Sequence, residues 1–597
     1  MCVSEETSGG IGPDFAPSRG RALAATAATG VSGMQPTGKA LPTLIAGSPA
    51  TPAEHIRAAM AVSPMASLVN AAVPGPVKVL ISSIVRDPAV VREKRACAIK
   101  TFREVCSRLA PYRARWAESL ESDSPARVLN LPLLHVLVKR NGYVDPEIVN
   151  DIAKGMPIAG DIPTSGGGLV PRESEAETTL AEWTEGIAAR NAETIVRCEK
   201  FRCSADGSAC WAKTIKEIDA GWLTPPVRLT PTMAESLSLS PRFAIFEERG
   251  DGPQKVRVID DLGASGVNGV TATHDTAVPD SLDCVLALSV YFRLLSPGCV
   301  LQAASTDFRH AYKTIGIPPG HERFPAILSA PPERPMQVSH LRTQPFGSKS
   351  APGNWGRVTA LFKWILMNYF SAHLPIYVDD CFIIATAETI QSAAECVRTL
   401  AELCGFGLDK DQSHSDSLAI LGARVHFGPE GVSATLPEKR RGSLIHDLEC
   451  ILASGELSPG QADKMRGRLG FAQSLMFGKL GRVQLHPFSN RQYSSALRGT
   501  HAINAELMDV IPWWIHVLRS VSPRCTMTPG PRPVLIYTDA SGCGHLGVIA
   551  YVGGETHVFS SHAPEWVMKS KCDIYDLEMA ATLRRAARNN EEEKGGK

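Results

Sequence analysis

Apolar residues recur at Val90, Val91, Ile99, Phe102, Val105 and Leu109, a spacing that predicts one buried helical face. Asp87-Pro88 just ahead of them reads as a helix start, an acid at the N-cap followed by proline at the first helical position. A second helical stretch fits Leu180, Trp183, Ile187, Ile195 and Val196. Between the two, residues 155–171 form a Pro/Gly-rich break containing Gly166-Gly167-Gly168. Residues 77–224 are therefore expected to be a helical N-terminal region. Ahead of it, residues 11–75 carry only six charged side chains among Ala, Gly, Pro, Ser and Thr, so 1–76 is expected to be a low-complexity, disordered tail. Near Arg242 the pattern changes. From there to about Val432, short apolar runs alternate with turn signals and helical stretches, as in an α+β domain. Residues 533–597 open on the strand pattern Val534-Leu535-Ile536-Tyr537, and no internal repeat is present.

Composition adds limits. At 597 residues the length suggests about four domains. An apolar fraction of 44% and a charged fraction of 21% exclude wholesale disorder, collagen and coiled coil. The net charge of +1 excludes a chain that is basic throughout, but not a local basic groove. Residues 436–532 hold thirteen Lys/Arg against seven Asp/Glu, a surplus of six. The 15 cysteines include no C-x-x-C pair, and Cys198, Cys203 and Cys210 have no histidine near them, so they read as reduced intracellular thiols. The most apolar region, residues 58–85, is broken by Pro64, Pro74, Pro76 and Lys78 and reads as no membrane span. Acids at Glu5 and Glu6 are unlike a secretory signal. Cytoplasm or nucleus is the expected compartment.

The chemistry centres on carboxylates. In Ile376-Tyr377-Val378-Asp379-Asp380-Cys381-Phe382-Ile383-Ile384, apolar β-formers flank two adjacent acids, which predicts a hairpin with the acids at its tip. Adjacent carboxylates repel and need a cation or a raised pKa; a divalent metal supplies the cation, whereas a solvated turn needs neither. Ser305-Thr306-Asp307-Phe308-Arg309-His310-Ala311-Tyr312 reads as a strand end turning into a short helix. Gln344-Pro345-Phe346-Gly347-Ser348-Lys349-Ser350-Ala351-Pro352 is punctuated like a loop that approaches a ligand closely. It precedes an amphipathic helix through Trp355, Val358, Leu361, Phe362, Ile365 and Leu366.

These three elements resemble motifs A, B and C of reverse transcriptases. Asp-x-x-x-Ala-Tyr at Asp307 matches motif A, Pro-Phe-Gly-x-x-x-Ala-Pro matches motif B, and Tyr-Val-Asp-Asp matches motif C. Lys255-Val256-Arg257-Val258-Ile259-Asp260-Asp261-Leu262 resembles the fingers strand upstream of the palm. Gly405-Phe406-Gly407-Leu408 and Leu421-Gly422 resemble motifs D and E. The resemblance covers about residues 225–500, and its style is similar to retrotransposon enzymes, those of the tyrosine-recombinase type among them.

The resemblance implies a right-hand polymerase, with fingers and palm over 225–435 and a thumb or connection over 436–532. It implies two Mg²⁺ ions held by Asp307 and Asp379 with Asp380 beside them, and nucleotide contacts from Arg257, Phe308, Tyr312 (the steric gate under the sugar), Phe346 and Gly347. The implied partners are an RNA or DNA template with its primer, and dNTPs, with no membrane. Lys464, Arg466, Arg468, Lys479 and Arg482 are the candidates for gripping a duplex through its phosphates. Two departures stand out. Alignment on Ser413 puts Gln412 where the family has a lysine that is the suspected proton donor to pyrophosphate, with Lys410 two residues earlier. Gly263 replaces a fingers arginine.

Residues 533–597 resemble the start of ribonuclease H, an α/β domain whose first two carboxylates match Asp539 and Glu578. The family's further carboxylates have no match before Lys597, and Glu591, Glu592 and Glu593 lie in a polar run. A partial module with little or no hydrolytic activity is expected. The leading reading is an RNA-directed DNA polymerase. A non-catalytic nucleic-acid-binding remnant of a mobile element is the alternative, and an unrelated metal-dependent hydrolase accounts for Asp379-Asp380 but not for the motif order.

Overall fold

The computed structural model describes residues 69–563, apart from 203, 250–251, 322, 430, 477–480, 494–500, 521–523, 528–534 and 553–554. Most of the expected tail, together with Cys203, Lys479, Glu578 and Glu591 to Glu593, lies outside the described residues. The chain divides into two compact units, residues 72–528 and a second formed by 1–71 with 529–597.

The helix Pro88–Ser119 begins where the sequence signals it: the Asp87 carboxylate accepts a hydrogen bond from the Val90 amide at 3.0 Å. Such a cap is worth about 1 kcal/mol. Its buried stripe runs Val91, Arg95, Ile99, Phe102 and Leu109, while Val90 turns outward. Within the expected tail, residues 69–72 are already helical, and the helix Gly75–Arg86 follows with proline in its first turn.

The strands follow along the chain. β1 (Gly160–Ile162) and β2 (Val170–Ser174) come first. β3 (Val227–Arg228), β4 (Leu239–Arg249), β5 (Gly252–Asp260), β6 (Thr271–Thr276) and β7 (Leu301–Phe308) follow. After β8 (Ala326–Ser329) and β9 (Gln337–His340) come β10 (Ile376–Tyr377), β11 (Asp380–Thr386) and β12 (Leu408–Ser415). β13 (Ser417–Ile420), β14 (Ala423–Gly428), β15 (Gly431–Thr435) and β16 (Arg524–Met527) complete the larger unit. They form four sheets, ordered β1-β6-β2, β3-β9-β8-β4-β5, β10-β11-β7-β12 and β13-β14-β15-β16. In the second unit, β17 (Leu535–Ala540), β18 (His545–Val552) and β19 (Glu555–His562) make an antiparallel sheet in that order. The architecture is mixed α and β, as the alternation of patterns implied.

The N-terminal region is not a layer of helices set apart. It contributes β1 and β2, and its first helices share one core with later elements. Ile99, Phe102, Leu134 and Ile148 pack with Phe308, Phe362, Phe370, Ile383 and Cys404. Polar ties run through the same seam. Arg95 is 1% exposed and donates to the Ser371 carbonyl from Nε (3.1 Å) and Nη2 (2.9 Å), and from Nη1 to the Thr389 carbonyl and Ser392 Oγ (both 2.9 Å). Arg357 in the helix Ala351–Phe370 forms a forked pair with Asp145 at 2.8 and 3.1 Å and reaches Asp151 at 2.6 Å. The helices Glu438–Ser454, Pro459–Ser474, His486–Tyr493 and Ala505–Ser520 close over a separate core that includes Leu448, Leu469, Phe488, Ile511 and Trp514. Among the described residues no helix is long and apolar enough to cross a membrane.

Two predictions follow from these ties. Arg95→Met strands buried carbonyls of Ser371 and Thr389 and should lower the unfolding free energy of the full chain by about 2–4 kcal/mol in urea titration. His274 on β6 bridges Asp161 of β1 and Glu173 of β2, each at 2.6 Å. Those hydrogen bonds, Asp161's first, raise its pKa above the ordinary 6.5. A raised folded-state pKa means that the clamp stabilises below the unfolded value and is lost as pH rises through the folded one. The melting temperatures of wild type and His274→Ala should therefore differ at about pH 5 and converge by about pH 9.

Candidate active site

β7 and β11 lie antiparallel, and their register sets Asp307 opposite Asp380 and Thr306 opposite Cys381. The β10–β11 hairpin closes through Val378 and Asp379, so the paired acids sit at its tip as the sequence pattern predicts. Val378 adopts φ 57°, a left-handed conformation that a β-branched residue rarely takes and that costs about 1–3 kcal/mol. Two hydrogen bonds hold it there. Trp355 Nε1 donates to the Val378 carbonyl at 2.5 Å, and the Phe308 amide donates to the Asp379 carbonyl at 2.9 Å. The turn is thus clamped from the helix Ala351–Phe370 and from β7.

The three carboxylates share one neighbour, Cys381. The fully buried Cys381 thiol has its pKa pushed far up, first by burial and then by the charges of Asp380, Asp379 and Asp307. Tyr312 lies in the 3₁₀ turn Ala311–Thr314, entered through His310 at φ 58°. Its hydroxyl is pushed up to about 12, by burial first and by Asp379 second. The Tyr312 ring stands 5.4 Å from that of Phe346. Gly347 has φ 96°, and a Cβ there would lie 2.6 Å from the Asp260 carbonyl, so only glycine fits. Asn268 fastens this loop, donating to the Gly347 carbonyl and accepting from the Lys349 amide, both at 2.9 Å.

Not every expected residue joins the group. Phe308 faces the opposite way from Asp307. It is buried with its ring edge-on to Trp355, Phe362 and Phe406, so its side chain packs in the core rather than beside Asp307. Arg257 is exposed on β5 opposite Ile245. β12 carries Gln412 opposite Ser305, and the side chains of Lys410 and Gln412 lie outside the described residues. Asp539 is exposed on β17, paired with Gly547 of β18, in the other unit.

A cavity of about 710 Å³ opens beside the carboxylates. Asp307, Tyr377 and Asp380 line it together with Leu421, Gly422, Arg440 and Phe471. Leu421 (φ 49°) and Gly422 (φ 80°) form the tight turn between β13 and β14, and Arg440 Nη1 meets the Gly422 carbonyl at 3.4 Å while its guanidinium lies 6.0 Å from the Phe471 ring. Arg440 is the cation of this lining, and the surplus of positive charge over 436–532 did not single it out. Of the basic residues that the sequence did single out, Lys464 and Arg482 are exposed, Arg466 is half-buried, and Arg468 is engaged by Asp447 and Ser443.

Among the described residues no three Asp, Glu, His or Cys side chains close around a point as a ready-made metal cage. Asp307, Asp379 and Asp380 offer oxygen donors, the type that Mg²⁺ takes. That ion is usually bound by one or two carboxylates completed by water and substrate phosphates, so the donor set fits it.

No protein-family model matches the chain, and no curated protein matches it. Among solved structures, the foamy viral protease-reverse transcriptase in complex with double-stranded DNA is similar at a TM-score of 0.35 and 12% sequence identity, over 71% of this chain and 74% of that one. A likeness at that level identifies no family.

The glycine geometry gives a controlled comparison. Gly347→Ala should destabilise by about 1–3 kcal/mol, because a Cβ meets the Asp260 carbonyl at a positive φ. Gly353→Ala, in a helix with no heavy atom within 4 Å of the added Cβ, should be neutral or stabilising by up to about 1 kcal/mol. Thermal denaturation of both variants checks the pair.

Proposed function

We propose that the chain is an RNA-directed DNA polymerase of a retroelement, adding deoxynucleotides to a primer 3′-hydroxyl under the direction of a template. The observation that carries this reading is the in-register apposition of Asp307 and Asp380 on neighbouring strands, with Asp379 in the clamped turn and Tyr312 beside it. In this reading residues 225–435 are fingers and palm, 436–532 the thumb or connection, and 533–597 a ribonuclease H-like segment.

Asp307 and Asp379, with Asp380 adjacent, would hold two Mg²⁺ ions. The chemistry that bound Mg²⁺ supplies at such a site is acidification of a hydroxyl and neutralisation of charge on a leaving phosphate. The protein's own groups do the positioning. Tyr312 puts its ring under the sugar, where a 2′-hydroxyl would clash. Phe346 and the Gly347 backbone line the nucleotide pocket, and Arg257 reaches the nucleotide from the fingers strand. Arg440, lining the same cavity as Asp307 and Asp380, supplies a positive charge for a backbone phosphate of the primer strand. The ribonuclease H-like reading of 533–597 rests on Asp539 and Glu578 in the sequence.

Primer extension on an RNA template with Mg²⁺ and dNTPs tests the proposal. The wild-type chain should extend the primer, and Asp379→Asn should bind the same duplex yet give no detectable incorporation. Equal incorporation by both would overturn the assigned mechanism. Duplex binding by the wild type with no Mg²⁺-dependent synthesis would select the non-catalytic remnant instead.

A further inference from the structure

The residue after Tyr312 is a lysine, and it is 4% exposed. Lysine is rarely buried this far without an acidic partner. In a 3₁₀ turn successive side chains point about 120° apart, so Tyr312 and Lys313 leave the turn in different directions. Tyr312 goes toward Asp379. Lys313 goes toward two aromatic rings, with its Nζ 5.9 Å from the centroid of Trp222 and 5.9 Å from that of Phe346.

The acids nearest Lys313 are already committed. Glu217 and Asp260 are buried, and both bind Arg242, at 2.5 Å and 2.7 Å, while Arg242 also donates to Thr214 Oγ1 at 2.8 Å. Lys313 feels their charge but forms no salt bridge with either among the described residues. Its ammonium therefore rests on the ring faces. Burial lowers its pKa, and Glu217 and Asp260 oppose that shift.

Phe346 needs such a contact. It is 41% exposed, so burial does not fix the plane of its ring. The next residue, Gly347, is held against the Asp260 carbonyl, which anchors the backbone but not the ring. The described ring contacts of Phe346 are Tyr312 at 5.4 Å and Lys313. A cation over a partly desolvated ring restrains it without filling the space where a nucleotide would enter.

We propose that Lys313 is a specificity-determining positioning residue: its buried ammonium braces Phe346, and through Phe346 the Tyr312 ring, in the arrangement that separates deoxyribose from ribose. This inference rests on the polymerase reading above. It assigns Lys313 a role distinct from contact with the reacting atoms, since it acts through two other side chains.

Single-nucleotide incorporation by the full chain on a primer–template with Mg²⁺ tests it, with dNTPs and rNTPs compared for wild type, Lys313→Met and Lys313→Arg. Lys313→Met keeps the bulk and removes the cation. It should raise KM for dNTP by roughly tenfold, the size that a desolvated cation–π contact carries, with kcat changed by less than about twofold. It should also narrow the preference for dNTP over rNTP. Lys313→Arg keeps the cation and should restore both. If Lys313→Met incorporates with wild-type KM and wild-type sugar preference, the inference is overturned while the polymerase reading stands. Arg and Met variants that are equally impaired overturn it too. A wild-type chain that incorporates no nucleotide overturns the polymerase reading, and the inference with it. Should Lys313→Met not fold, Phe346→Leu decides: it removes the braced ring and leaves the cation, and an unchanged sugar preference would overturn the proposal.

Discussion

Two carboxylates are held opposite one another by a backbone ladder, and most of the larger unit is arranged around that constraint. Asp307 and Asp380 repel, yet the hydrogen bonds of β7 and β11 fix their Cα positions as a facing pair. The ladder is buried along its length, through Ala303, Ala304 and Thr306 on one strand and Cys381, Phe382 and Ile383 on the other. Consecutive residues on each strand are buried, so both faces are packed, and sliding the strands by one residue would swap the side chains of the two faces into surroundings shaped for others. The register is therefore secured by hydrophobic burial, and the repulsion at the tip is tolerated. The strained Val378 turn belongs to the same arrangement, because Trp355 and the Phe308 backbone hold it where an isolated hairpin would relax.

That ladder needs buttresses, and the chain supplies them from far away in sequence. Arg95 joins the carbonyl that ends the helix Ala351–Phe370 to the start of the helix Ile390–Cys404. Asn130 donates from its amide to the Cys404 carbonyl and from Nδ2 to Leu403. The pair of Arg357 with Asp145 and Asp151 ties the helix that carries Trp355 to the N-terminal segment. On the other side of Tyr312, the buried cluster of Glu217, Arg242 and Asp260 fixes the end of β5, and the Asp260 carbonyl in turn limits residue 347 to glycine. The N-terminal helices thus serve the carboxylate site by packing against it.

Local signals were legible in the sequence and distant ones were not. The Asp87 cap, the acid-tipped hairpin, the 3₁₀ turn after Asp307 and the helix after the Gln344 to Pro352 loop all depend on neighbours a few residues apart. Alternation along β7 carries the same kind of local signal: with Asp307 facing the tip, Phe308 faces the core. The apolar stripe on the helix Pro88–Ser119 shows that it buries a face, but periodicity does not name the partner. That partner lies over 250 residues away, and a buried arginine sits within the stripe. Lys313 and Arg440 were hidden for the same reason. A lysine beside a tyrosine and an arginine in a basic run look ordinary until folding sets one near two rings and the other in the lining of a cavity shared with Asp307. Arg468 is the reverse case, a prominent cation that a nearby aspartate takes up.

In the polymerase reading proposed above, Asp307 on β7 and Asp379 and Asp380 at the β10–β11 turn would together hold the divalent cations. Iron(II) substituted for Mg²⁺ in the full chain, with primer–template present and hydrogen peroxide and ascorbate added, reduces the peroxide to hydroxide and a hydroxyl radical that cuts the backbone beside the bound ion. Mapping the fragments measures where the ion sits. Cuts clustered at 307 and at 379–380, suppressed by excess Mg²⁺ and absent in Asp379→Asn, are the predicted result. Cuts at only one of the two strands, or cuts there that Mg²⁺ does not suppress, would contradict it.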